Sequence, residues 1–405
     1  MIGSVPSVVS VGITRRPSRT TERGGTTPGN YRRDMRVLMC PDKFAGTLTA
    51  SEAATALAEG WAEVNPDDTV VTIPLADGGP GTVDAVASRT HGRRIGVPVR
   101  DPLGRERTAD FLLAGDTAYL ESAAACGLHL VDPAERDPLR ATSYGLGQLM
   151  TAAVESGARR LVIGLGGSAT NDAGAGMLTA VGLTPVDDLG NPVAYGGAAL
   201  AGCTALTGAA RLRGTAVVAA TDVDNPLCGI NGASAIFGPQ KGADDNAVQI
   251  LDHALTTFAG VLATLPGCPP DVATRPGSGA AGGIGAALFA LGGQRRSGAD
   301  LVAEAVGLAP ALDDTDLVIT GEGCFDHQSL RGKVVCRVAA AAAERGLPCV
   351  VAAGRVTIGR REAAVAGVDR TVSLAEHFGS VDEAMARPVD GLRAVARGLA
   401  RRWSR

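Results

Sequence analysis

Aromatic residues make up only 3% of the chain, so a core drawn from its 45% hydrophobic content has to be built mostly from Ala, Val and Leu. Basic excess is missing as well. A net charge of −4 gives no positive field for nucleic acid. No apolar run approaches the roughly 18 residues needed to span a membrane. The eight cysteines, at 40, 126, 203, 228, 268, 324, 336 and 349, form no CxxC pair, which argues against a zinc site or disulfide scaffold and suits a reducing cytoplasm. There is no GxxxxGK[ST] loop, so a P-loop enzyme is not indicated. Ser168 lies in Gly166-Gly167-Ser168-Ala169-Thr170 rather than in a GxSxG elbow, and the five histidines stand apart from one another. The 55 glycines carry no G-x-y period, and no repeat of fixed length is visible.

What is present centres on Leu161–Gly182, LVIGLGGSATNDAGAGMLTAVG. A β-branched apolar run enters a glycine turn crowded with Ser168, Thr170, Asn171 and Asp172, and an apolar helix is expected after it. Strand, glycine turn and helix together aim backbone N–H groups and a positive helix end at an anion. The alternative reading is a tight turn whose glycines only relieve steric strain.

Residues 1–34 hold six arginines and two acids without periodicity, and read as a disordered, dispensable tail or an upstream-start artefact before Met35. Arg36–Cys40 reads as a strand. Thr49 and Glu52 form a capping box opening a helix. Val70–Leu75 is a second strand, entering Asp77-Gly78-Gly79-Pro80-Gly81 and a helix. Ile95–Val99, Thr108–Leu113 and Thr117–Glu121 suggest hairpins, and Thr142–Gly157 a helix. Ala216–Ala220 is a buried strand, Asn246–Leu262 a helix and Pro266–Pro276 a linker. Gly277–Gly283 opens an Ala-rich helix. Asp316–Thr320 and Cys349–Ala353 are strands flanking a helix over Val334–Arg345, and an Arg-rich helix ends the chain. Alternating strands and helices predict α/β sheets with ligands at the carboxyl ends of the strands.

Gly164-Leu-Gly166-Gly-Ser-Ala169 and Gly277-Ser-Gly279-Ala-Ala-Gly282 match dinucleotide fingerprints, a pattern that arises easily in so glycine-rich a chain. Asp42, Asp77, Asp172, Asp222, Glu322 and Asp326 each follow an apolar strand. One such acid is commonly a cap or turn former; six supply what phosphoryl transfer needs, ligands for Mg²⁺ and an acceptor for a hydroxyl proton. Lys241 and Lys333, two of only three lysines, are candidate phosphate cations, and the third is Lys43.

Seven motifs in order resemble the bacterial glycerate kinase type-1 family: PDKFAGTLTASEAA (41–54), ADGGPGT (76–82), GLGGSATNDAGAGML (164–178), TDVDNPL (221–227), NGASAIFGPQKGA (231–243), GSGAAGGIGAAL (277–288) and TGEGCFDHQSLRGK (320–333). The resemblance runs from Met35 to the C-terminal helix. It implies two α/β domains: a discontinuous Rossmann-like one from residues 35–75 and 277–405, and a mixed α/β one from 76–276. It also implies ATP- and Mg²⁺-dependent phosphorylation of D-glycerate, most often at the 2-hydroxyl, in the cytoplasm. Departures are Lys43 and Ala45 where the family has serine and lysine, Pro80 for its glutamate and Cys324 for its arginine.

On that basis Asp172 is expected as the base, with Asp77 as runner-up and Lys241 on phosphoryl charge. Substrate would be held by Asp42, Gly78, Gly79, Gly166, Gly167, Ser168, Thr170 and Asn171. Gly279, Gly282, Gly283, Glu322, Gln328 and Lys333 would hold ATP, and Asp222 and Asp326 Mg²⁺. Partners are D-glycerate and ATP, with no nucleic acid or membrane; a homodimer is compatible. Rival readings are a kinase of a related hydroxy acid, an NAD-dependent oxidoreductase and a non-catalytic binder of a small acid.

Overall fold

Thirteen strands are laid out in sequence order in the computed structural model, which describes residues 34–331 and 333–403. They are β1 Arg36–Met39, β2 Thr69–Thr72, β3 Arg93–Arg100, β4 Glu106–Ala114, β5 Thr117–Glu121, β6 Arg160–Gly164 and β7 Leu183–Val186. The rest are β8 Ala205–Gly208, β9 Ala216–Ala220, β10 Gln294–Arg296, β11 Leu317–Phe325, β12 Cys349–Val356 and β13 Arg370–Ser373. The tail expected at 1–34 lies outside the described residues except for Asp34.

Two main sheets result. One has the order β13-β12-β11-β1-β2 and is parallel throughout. It joins both ends of the chain: Leu38 is in register with Val318, and Thr320 Oγ1 donates to the Cys40 carbonyl at 2.8 Å. Short apolar strands such as RVLM can sit at its centre because helices cover both faces. On one face, helices Ala50–Ala62 and Pro388–Trp403 pack around Leu57, Trp61, Leu392 and Leu399. On the other, Val302 and Val306 of helix Gly298–Val306 meet Val335 and Val338 of helix Val334–Ala343. The expected capping box is formed: Glu52 N donates to Thr49 Oγ1 at 3.2 Å and Thr49 N to Glu52 Oε2 at 2.8 Å.

The second sheet has the order β10-β9-β6-β5-β4-β3, with β3-β4-β5 antiparallel as the hairpin pattern predicts. Its core holds Phe111, Leu149, Ile163, Leu178, Phe258 and Leu288. Leu301 of helix Gly298–Val306 also packs on Val162 and Val218, so this helix is shared by the two sheets. β7 and β8 form a separate antiparallel pair.

Three local expectations are corrected. Pro266–Pro276 is a string of turns with Val272 buried in the second core, because one apolar anchor suffices to hold a proline-rich segment down. Gln294–Arg296 pairs with β9, so the six-stranded sheet draws on the chain beyond Gly277. β11 continues through Phe325, since Gly321–Phe325 finds a ladder partner in Ala352–Val356; Glu322 is therefore a strand residue.

Candidate active site

The carboxyl edge of the five-stranded sheet opens into a cleft of about 400 Å³ whose polar wall includes Asp42, Lys43, Asp77, Glu322, Asp326 and Lys333. Parallel strands all deliver their following loops to this edge, which is why acids far apart in sequence converge there. Asp42 follows β1 and is fixed by its own N–H, which donates to the Gly321 carbonyl at 2.8 Å. Its Oδ1 accepts from Lys43 N at 2.7 Å. Lys43 Nζ lies 3.5 Å from Asp77 Oδ1, which also accepts from Gly79 N at 3.0 Å.

Electrostatics separate these acids. Burial pushes the Asp42 carboxyl up to about 6, with Asp77 adding to the rise and Lys43 opposing it. Burial would raise Asp77 too, but Lys43 and the Gly79 amide bring it below its ordinary value. Glu322 is pushed up to about 7, chiefly by burial, with Asp42 and Asp326 contributing and Ser329 and Lys333 opposing. Its Oε1 is buried without a hydrogen-bond partner. Asp326 is held below its ordinary value because Ser329 and Gln328 N–H groups donate to it and outweigh burial. The cleft thus offers carboxylates of unequal basicity beside two ammonium groups, an arrangement suited to moving a hydroxyl proton and neutralising phosphate.

A second layer adjoins the first through Gly78 and Gly79. A Cβ on Gly164 would stand 2.2 Å from the Gly78 carbonyl oxygen, and one on Gly166 2.8 Å from Gly79 Cα. Only glycine lets these two loops touch. Behind this contact Lys241, 3% exposed, donates to the Thr170 carbonyl at 2.6 Å and to Ser168 Oγ at 3.1 Å. Burial drives its ammonium down to about 7 against the opposing pull of Asp172. Lys241 is therefore a brace under the glycine loop. Expected on phosphoryl charge, it is buried and lies outside the lining of the cleft.

Asp172, expected as the base, also lies outside the lining of the cleft. It is fully buried, and its carboxylate accepts four hydrogen bonds: Ser143 N and Oγ at 2.8 Å each, Gly176 N at 3.2 Å and Gly174 N at 3.1 Å. With its oxygens engaged and no exposed surface, it ties the loop to helix Tyr144–Glu155. The apolar helix expected after this turn is formed over Ala175–Val181, seven residues long.

Gly279, Gly282 and Gly283 also serve packing. A Cβ on Gly282 would lie 1.9 Å from the Thr170 carbonyl oxygen, on Gly279 2.2 Å from that of Pro226, and on Gly283 2.7 Å from Ala173 Cα. Of the residues expected to hold ATP, the cleft gathers Glu322 and Lys333; Gln328 is exposed outside its lining. Asp222 is absent from the lining too: its carboxylate accepts from Ala299 N at 3.2 Å and lies 3.7 Å from Arg337. Asn171 Nδ2 donates to Ser234 Oγ at 2.8 Å, while Asn171 Oδ1 and Thr170 Oγ1 are buried without partners.

Sequence reasoning missed Glu121, Ser143 and Arg355. Glu121 Oε1 accepts from Gly81 N at 3.0 Å and Val83 N at 2.8 Å, capping helix Thr82–Ala87 beside the site. Its place at the end of β5 was the available signal. Arg355 lines the cleft from β12. Ser143 reads locally as no more than a helix cap, because its bond to Asp172 depends on a partner on another element. Lys43, Ala45 and Cys324, where the chain departs from the family pattern, all line the cleft.

The sequence model of the Glycerate kinase family matches residues 37–404. Glycerate 2-kinase of Escherichia coli K12 is 42% identical over 372 residues, covering 90% of this chain and 97% of its own. Glycerate kinase of Haemophilus influenzae is 40% identical, covering 91% and 98%. A solved Salmonella typhimurium LT2 structure described as glycerate kinase 2 superposes with a TM-score of 0.76 at 39% identity, covering 92% of this chain and 98% of that one. With cleft, motifs and relatives in agreement over nearly the whole described chain, this protein belongs to the glycerate kinase family.

Proposed function

We propose that the protein transfers the γ-phosphoryl group of ATP to the 2-hydroxyl of D-glycerate, giving 2-phosphoglycerate and ADP. The observation that carries this reading is the cleft in which Asp42 and Glu322 stand beside Lys43 and Lys333. Asp42, titrating near 6, accepts the proton of the attacking hydroxyl at the oxygen that Lys43 N does not occupy. Asp77 stays ionised and orients Lys43 toward the transferred group. Lys333 precedes helix Val334–Ala343, so its ammonium and the helix N-terminus present positive charge together. Such transfers are accelerated mainly by positioning and charge stabilisation, which fits this division of roles. The lysine that the family carries at position 45 is replaced here by one at position 43 lining the same cleft.

Mg²⁺ fits these side chains. Glu322 has a buried oxygen without a partner, and Asp42 and Asp326 raise its affinity for positive charge. Among the described residues no three His, Cys, Asp or Glu side chains are grouped for a metal, but Mg²⁺ at nucleotide sites commonly takes one or two carboxylates plus phosphate and water. Glu322 and Asp326 would hold it, and when bound it supplies charge neutralisation of the phosphates. The eight cysteines are all free, in keeping with a reducing cytoplasm, and no described helix is long and apolar enough to cross a membrane.

Coupled ADP release with Mg-ATP and D-glycerate, each omitted in turn, tests the reaction, and phosphorus NMR of the product fixes the position. Glycerate-dependent ADP with a 2-phosphoglycerate signal is expected. A 3-phosphoglycerate signal refutes the regiochemistry, and absence of turnover refutes the substrate.

A further inference from the structure

The five-stranded sheet has a second cleft, of about 900 Å³, at the opposite edge from the candidate active site. Leu347 and Pro348, which lead into β12, line it, as do Asp369 and Arg370 at the start of β13. Gly354 and Arg355, at the far end of β12, line the catalytic cleft. Three arginines converge on the second cleft: Arg360, Arg370 and Arg402.

Among the described residues none of the three has an ion pair or hydrogen bond. Arg345, Arg393 and Arg397 pair with Asp313, Glu59 and Glu63, whereas Arg361 and Arg401, unpaired among the described residues like the three, lie outside the lining. The one acid of the lining, Asp369, is engaged through Oδ2 by Cys349 N at 2.7 Å. Helices Val334–Ala343 and Pro388–Trp403 end at this rim, where arginines often satisfy terminal carbonyls, yet these three donate to none. Arg370 is held below its ordinary value by burial and then by the charges of Arg402 and Arg360, so the guanidiniums repel one another.

A second observation is independent of charge. Trp403, in the same wall, has a buried Nε1 with no acceptor among the described residues. The chain's other tryptophan, Trp61, donates to Asp68 Oδ2 at 2.9 Å. Among the described residues no acceptor meets these three guanidiniums, which concentrate positive charge on one cleft of a chain of net charge −4, and the buried indole N–H in its wall is likewise without a partner.

We propose that this cleft is a second ligand site, distinct from the catalytic one, for a small phosphate-bearing organic molecule. Guanidinium forks match phosphate oxygens bidentately, and the volume falls within the range of small-molecule sites. Leu347, Pro348, Ala364 and Val368 supply an apolar wall for the organic part.

Trp403 provides the readout, because Trp61, in the same apolar cluster, is fully buried and absent from the lining. Inorganic pyrophosphate is titrated into the full chain at constant ionic strength, with D-glycerate and a non-hydrolysable ATP analogue saturating the catalytic cleft. Tryptophan fluorescence is followed, and isothermal calorimetry repeats the titration without relying on the fluorophore. Saturable binding is expected, weakened about tenfold by Arg370→Ala and again by Arg402→Ala. Turnover without pyrophosphate should stay at the level of the unmodified chain. Absence of saturable binding overturns the proposal, as does equal binding by the arginine variants or loss of binding when the catalytic cleft is filled.

Discussion

Replacing Asp42 with Asn should stabilise the protein while removing most of its activity. A carboxyl that titrates near 6 in the fold and near 3.8 in the unfolded chain costs folding about 3 kcal/mol at pH 7. The sign follows from proton counts. Between those two values the native carboxyl keeps a proton that the unfolded one has lost, so stability falls as pH rises through this window and is level above it. Asparagine has no proton to lose and retains an oxygen for Lys43 N. The gain should therefore be full at pH 7, about half at pH 5 and absent below 3.8. Turnover should drop by about 10²-fold or more, because the hydroxyl proton loses its acceptor. Urea midpoints at pH 7 and pH 5 measure the first effect and coupled ADP release the second. A gain independent of pH would show that charge burial is not its source. Near-normal turnover would remove Asp42 as the base.

Asp172→Asn should cost stability by about 3 kcal/mol, since an amide NH₂ would face N–H and O–H donors that now meet carboxylate oxygens. A variant of unchanged urea midpoint with abolished turnover would return Asp172 to the role of base. Gly164→Ala should push the Gly78 loop away, lowering the midpoint by about 3 kcal/mol and raising KM. Gly104→Ala, where no atom lies within 4 Å, should cost only about 1 kcal/mol from its positive φ and leave KM unchanged. Equal effects of the two substitutions would refute the loop-contact argument.

Much of the fold was legible in the chain itself. The capping box at Thr49 and Glu52, the short β-branched strands and the hairpins of β3, β4 and β5 follow from local propensity and period, which neighbouring residues encode. Acids placed after strands gather in one cleft at the carboxyl edge, because parallel sheets bring those ends together whatever the strand order. The ordered motifs pointed to the family.

Local pattern could not say which acid is open to substrate. Asp172 and Asp42 look alike in sequence, each a carboxylate in the segment that follows an apolar strand. Asp172 is sealed by Ser143, 29 positions away, and the loop carrying it is braced by Lys241, 73 positions from Ser168. Asp42 keeps an oxygen for the cleft because β1 lies beside β11, where Thr320 bonds to Cys40 across 280 positions. Glycine was ambiguous for the same reason: Gly164 and Gly282 read as phosphate loops, but the backbone atoms pressed against them come from other segments. Composition and period determined the elements and the edge where chemistry gathers. Burial and hydrogen-bond saturation, which depend on partners remote in sequence, decided which of the candidate residues line the cleft.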